Sequence, residues 1–240
     1  MVATARVAAG KSPPPQKTSI SMPEKPLSDA LTGAAAEARP RERPEAMPGA
    51  DAPEVFFVPT REQCLALWDA YGMLPNIRSH SLAVACIAET LAVLAASAGL
   101  PVDVGAVRAA ALLHDLAKTY TIRHGGNHSQ LGGAWVQELT GNAALSQGII
   151  HHVHWPFAVD IRSHFLPLSI IYSDKRVKHN RVVSLSERFE DLLNRYGATE
   201  DIRQRIGRSF DQAREIEDAL IQTLGFKPDA DIAHCRRLVE

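Results

Sequence analysis

Residues 81–100 read SLAVACIAETLAVLAASAGL, an apolar run broken only by Glu89 and Thr90 and ended by Gly99 and Pro101. Its length and helix-stop signals predict one long helix from about Ile77 to Ala98. With a charge at mid-length, it reads as the buried helix of a soluble protein rather than a membrane span. A helix apolar on nearly every side belongs inside a core, and other elements must cover it.

Those elements also read as helices. In PTREQCLALWDAYG, Thr60 and Gln63 form a capping-box pattern, and Gly72 stops the helix. Further helices are expected over Val104 to Ala117, His128 to Leu139 and Asn142 to about Val153, before Pro156. Leu166 to Val177 and Leu185 to Tyr196 follow, the latter closed by Gly197. The last long helix starts at Thr199, with Ile202, Ile206, Phe210, Ile216 and Leu220 on one face and Gly225 at its end. No stretch alternates with period two and no internal repeat is visible, so the expected class is all-α.

Residues 1–53 are different. They are rich in Ala, Pro, Ser and Arg (SPPPQ, RPRERPE), with hardly any large apolar side chain to offset the entropy of ordering. The first acidic residue is Glu24, which suits a transit peptide. A sustained amphipathic pattern is missing, however, as is the apolar centre of a secretory signal. A disordered tail is expected there, followed by one domain over 54–240. The formal net charge of -1 argues against a general nucleic-acid binder. Cys64, Cys86 and Cys235 are scattered and lack CxxC spacing, which predicts neither a disulfide framework nor a cysteine-zinc site. A reducing, cytoplasmic setting is the matching expectation.

Ten histidines are many for this length, and seven fall between positions 114 and 164. His80 stands in the first turn of the long helix, where a solvated histidine is the ordinary reading. His114 and Asp115 end the apolar run of AALLHDLAK, so a core helix delivers them inward. His128 opens a helix, one turn before Gly132 and Gly133, whose small size would admit another helix or a ligand. IIHHVHWP puts His151, His152 and His154 beside Trp155, and three imidazoles are costly to bury unpaired. Asp174 follows another apolar stretch; by itself it suits a salt bridge to Lys175 or Lys178.

Taken in order, His80, His114-Asp115, His128, His151-His152 and Asp174 resemble the HD superfamily of metal-dependent phosphohydrolases. The resemblance extends over roughly 76–196 and includes the flanks RSHSLAVA, LLHDLAK, HSQLGGA and YSDKRV. It implies an HD-type helical bundle, with the helix from 199 to 224 appended. The minimal pattern, His80, His114, Asp115 and Asp174, binds one metal. Two further histidines, His128 and one of His151 and His152, imply two metals, as in bacterial dinucleoside-tetraphosphate hydrolases and cyclic-dinucleotide phosphodiesterases. The glycine-tyrosine-proline signature of the latter is absent after HHVHWPF, and the stretches RSHSLAVA and HSQLGGA look closer to the former.

The implied reaction is hydrolysis of a phosphoester or phosphoanhydride in a small nucleotide-like substrate. Asp115 would bridge the metals and Lys118 would meet the substrate phosphate; Arg176 and Arg181, in DKRVKHNR, would either contact a second phosphate or belong to a solvated basic face. Histidine and carboxylate ligands suit Fe, Mn, Co, Ni or Zn alike. A di-iron oxygenase and a catalytically silent nucleotide-binding module are the alternatives, and a homodimer is left open.

Overall fold

Helix starts carry the caps their sequence announces. In the computed structural model, which describes residues 57–239, Thr60 and Gln63 close a reciprocal capping box on α1 (Arg61–Ala70). Pro75 sits in the first turn of α2 (Pro75–Ser97). Asp103 caps α3 (Val104–Leu113). A turn leads to α4 (Lys118–His124), and Asn127 and Asn142 cap α5 (His128–Thr140) and α6 (Ala143–Ile150). After α7 (Phe165–Lys175) come α8 (Leu185–Tyr196), capped by Ser184, and α9 (Glu200–Leu224), capped by Thr199. Gly225 ends α9 in the left-handed conformation that favours glycine. The expected tail, 1–53, lies outside the described residues.

Packing follows from where the apolar faces lie. α2 packs on α3 and α7, and α6 bridges α3 and α7 from the other side. By length and composition α2 is apolar enough to cross a membrane, yet Ile87, Ala88, Leu91 and Ala92 are wholly buried among neighbouring helices. α5 lies along α6 because Gly132 and Gly133 present no side chain: a Cβ on Gly133 would collide with Ile150. The close approach that these glycines permit is therefore that of a helix. α8 and α9 pair and cover the remaining side of α7.

Four local features depart from the sequence-based expectation. The helix expected to run to Ala117 stops at Leu113, and residues 114–117 form a turn before α4, which periodicity did not predict. A two-stranded antiparallel hairpin, β1 (Val177–Lys178) and β2 (Arg181–Val182), follows α7. His179 in its turn takes φ 57°, a conformation open to few side chains. A 3₁₀ helix spans Ala233–Val239 and docks on α2, where Cys235 is joined to Cys86 by a disulfide. The expectation of no disulfide is thereby overturned. The partners are 149 residues apart, and only the docking of the C-terminal segment on α2 brings them together.

Arg176, expected to touch substrate, does not line the cavity that opens over the clustered histidines. It is 1% exposed. Its Nε donates to the Val183 carbonyl at 2.7 Å, and its guanidinium bonds the Tyr172 hydroxyl, Glu217 at 3.3 Å and Asp229 at 3.1 Å. It ties α7 to the hairpin exit, to α9 and to the segment after α9. Removing one partner of a buried charge network costs about 3 kcal/mol. Arg176→Ala should thus lower unfolding stability by about that much in urea titration while leaving bound metal unchanged. Wild-type stability with altered metal binding would reverse the assignment.

Candidate metal centre

The turn at 114–117 aims two side chains at one point. Leu116 N–H donates to the Leu113 carbonyl at 3.0 Å and Lys118 N–H to the Asp115 carbonyl at 2.9 Å, which holds the turn tight. Trp68 Nε1 donates to the Leu112 carbonyl at 2.9 Å, and Leu74 N–H to Thr119 Oγ1 at 3.0 Å. The turn is thus pinned to α1 and to the start of α2. His114 and Asp115 are almost fully buried as a result.

Around them gather His80 from α2, His128 at the start of α5, His152 just past α6 and Asp174 in the last turn of α7. Asp174 Oδ1 lies 2.9 Å from His80 Nε2 and 3.9 Å from His114 Nε2. Asp115 Oδ2 lies 3.4 Å from His114 Nε2, while Oδ1 lies 3.4 Å from His128 Nε2 and 3.8 Å from His152 Nε2. The two carboxylate oxygens of Asp115 therefore face different histidines. Within this cluster two triads have ligand atoms close enough to share an ion: His80, His114 and Asp174, and His114, Asp115 and His152.

Three imidazoles are oriented by the backbone. His114 Nδ1 lies 2.7 Å from the Ala111 carbonyl, His152 Nδ1 2.7 Å from the Ile149 carbonyl, and His80 Nδ1 2.8 Å from the His179 carbonyl. Each carbonyl can only accept, so each Nδ1 carries the proton. In the neutral ring Nε2 is then left as a lone pair. Carbonyl-oriented imidazoles of this kind are the usual outer support of a metal site. His114 Nε2 and Asp115 Oδ1 are buried without any hydrogen-bond partner. His128 Nε2 and His152 Nε2 stand 3.2 Å apart, close to the separation of about 3.0–3.5 Å for two nitrogens on one ion at about 2.1 Å. A proton can be shared at His80–Asp174 and at His128–His152, but His114 Nε2 and Asp115 Oδ1 have no such partner, and this set of buried imidazoles and carboxylates fits a metal.

Ionisation states agree at His128, His152 and both carboxylates, whereas at His114 the Asp115 and Asp174 carboxylates outweigh burial and raise the pKa, so that a proton there competes with the ion. Burial pushes His152 down to about 3 and lowers His128 as well, so both are neutral ligands at ordinary pH. Burial also opposes charge on Asp115, but His114 and Lys118 hold it well below the usual carboxylate range. For Asp174, Lys175 and His80 outweigh burial in the same way. Lys175 Nζ takes up the outer oxygen of Asp174 at 2.6 Å. Lys118 Nζ sits 2.7 Å from Asp115 Oδ2, and this carboxylate keeps the ammonium charged despite burial.

Not every expected residue joins the cluster. His151, left open against His152, turns its ring onto Trp155 at 5.4 Å between centroids and stays outside. Arg181 is exposed on β2. A cavity of about 420 Å³ opens over the cluster, reaching His80, Asp115 and Lys118 and bounded on its far side by Asn180, Arg188, Arg195 and Tyr196. These last residues, and the His179 carbonyl, escaped the sequence reading. DKRVKHNR allows a solvated basic face, and the stretch from Leu185 to Tyr196 is expected only as a helix.

Residues 77–192 match the family model described as HD domain. That stretch is just under half of the chain and contains every clustered side chain. No curated protein and no solved structure matches the chain.

The separation of the two neighbouring histidines is open to measurement. Elemental analysis of purified variants should find about one ion per chain fewer in His152→Ala and in His128→Ala. His151→Ala should keep the wild-type content. Equal losses in all three would mean that the geometry misassigns His151.

Proposed function

We propose that this HD-type metal-dependent hydrolase, so classed by its domain match and its two His/Asp clusters, cleaves a phosphoester or phosphoanhydride bond of a nucleotide or dinucleotide. The observation that carries the reading is the set of backbone-oriented Nε2 lone pairs facing two ionised carboxylates, with a lysine beside them. His80, His114 and Asp174 would hold one ion. His128 and His152 would hold a second, and Asp115 would span both with its two oxygens. When bound, such ions supply a water acidic enough to attack at neutral pH and charge to offset that of a phosphoryl group.

The chain's own residues supply the rest. Lys118 has its stem along the cavity wall and its ammonium on Asp115 Oδ2, with 40% of its side chain exposed. From there it can donate to a nonbridging phosphoryl oxygen without leaving the carboxylate. Asp115 is both an orienting anchor for that lysine and a ligand. Lys175 fixes Asp174 from the side away from the histidines, leaving Oδ1 directed at His80 and His114. At the edge of the cluster, the His128 side chain is 28% exposed. A phosphate can therefore approach the cluster from that face.

The test is phosphate release from nucleotides and dinucleoside polyphosphates by protein loaded with Mn, Fe, Co, Ni or Zn in turn, under argon. Turnover without oxygen supports hydrolysis. Oxygen-dependent product formation would replace it with the oxygenase reading. Asp115→Ala should lose at least about 100-fold in kcat while keeping a helical circular dichroism spectrum. Lys118→Ala should keep its metal and lose about 10- to 100-fold in kcat/KM, the worth of one charged hydrogen bond.

A further inference from the structure

Across the cavity from the metal cluster, α8 presents Arg188, Asp191 and Arg195 on one face, spaced three and four residues apart. Asp191 is the shared counter-ion. Its carboxylate lies 3.4 Å from Arg188, 3.5 Å from Arg195 and 3.9 Å from Lys178 of β1. One carboxylate is thus set against three cations, although Glu187 also reaches Lys178 at 3.7 Å. An ordinary surface ladder would balance its charges and leave its guanidinium groups in water. Arg188 does neither. Its side chain is 14% exposed, and its Nε is buried with no hydrogen-bond partner. Both arginines line the same cavity as Lys118 and Asp115.

The rim of that cavity has the opposite character. Tyr196 is 53% exposed and Ile122 64% exposed, and both line the opening. The Arg195 guanidinium carbon stands 5.2 Å from the centroid of the Tyr196 ring. A flat aromatic surface backed by a cation is a platform on which a planar ring can stack. Lys118, Arg188, Arg195, Tyr196 and Ile122 thus line one cavity together with Asp115 of the metal cluster.

We propose that Arg188 and Arg195 form a second phosphate subsite, with Tyr196 and Ile122 taking a planar ring beyond it. Substrates with two or more linked phosphates and a nucleobase-like ring are thereby preferred to monophosphates. This rests on the hydrolytic reading of the metal cluster. Arg188, planar and with an unpaired N–H, can grip a phosphate by two hydrogen bonds; Arg195, more exposed, adds charge and holds the Tyr196 ring.

Two measurements test it on metal-loaded protein. The first is the ratio of kcat/KM for adenosine diphosphate over adenosine monophosphate. It should fall about tenfold or more in Arg188→Ala and in Arg195→Ala, and less in Arg188→Lys. Arg195 is 44% exposed, so its replacement does not endanger folding. Tyr196→Ala should lower turnover of adenosine diphosphate relative to inorganic tripolyphosphate, which has no ring. The second measurement needs no turnover: calorimetric binding of tripolyphosphate at fixed free Mn. It should weaken about tenfold or more in the arginine variants. Unchanged ratios and unchanged binding would overturn the subsite and leave hydrolysis standing. Weakened binding in protein that hydrolyses no phosphate ester would keep the subsite and remove the hydrolytic reading.

Discussion

Three buried histidines, each with one ring nitrogen held by a backbone carbonyl, are the constraint on which the centre depends. The carbonyls of Ala111, Ile149 and His179 leave the opposite nitrogens as lone pairs. Each carbonyl lies near a chain reversal: after α3, after α6 and in the β1–β2 turn. Displacing any of these turns would rotate an imidazole away. The unusual backbone of His179 is retained where its carbonyl meets His80, in keeping with strain being tolerated at functional positions.

Such a cluster is expensive without a cation. Buried acceptors facing one another repel, and two carboxylates add their own desolvation cost. The surrounding helices relieve this only in part by hydrogen bonds: Lys118 and Lys175 reach one oxygen each of Asp115 and Asp174, while His114 Nε2 and Asp115 Oδ1 have no partner. They also supply rigidity. α2, α3 and α7 bring apolar faces together, and the polar residues sit at or near helix ends, where the backbone can accept ring N–H groups. Metal binding would then stabilise a preformed arrangement, so the fold and the site share one free energy.

Arg176, expected to contact substrate, and Arg188, which the sequence did not single out, show how charge alone misleads. Each is a cation with an acidic partner, Glu217 for the first and Asp191 for the second. The first is consumed by Tyr172, Glu217, Asp229 and a carbonyl. The second keeps a free donor beside the cavity. Nothing in local sequence separates the two roles, because the distinction lies in what the other helices place opposite each side chain.

What the sequence determined by itself was the part set by local physics. Cap residues at Thr60, Asp103, Asn127, Asn142, Ser184 and Thr199 start their helices, and glycines at 197 and 225 end theirs. Apolar periodicity marked the core, and the ordered set of histidines and aspartates marked the centre. Tertiary structure alone decided the rest. It broke the third helix at His114, because packing pins the turn to α1 and α2. It chose His152 over His151, since the second residue past α6 turns inward while the first turns onto Trp155. It paired Cys86 with Cys235 and set α8 opposite Lys118. These outcomes depend on contacts between residues far apart in the chain, and local propensity carries no record of them.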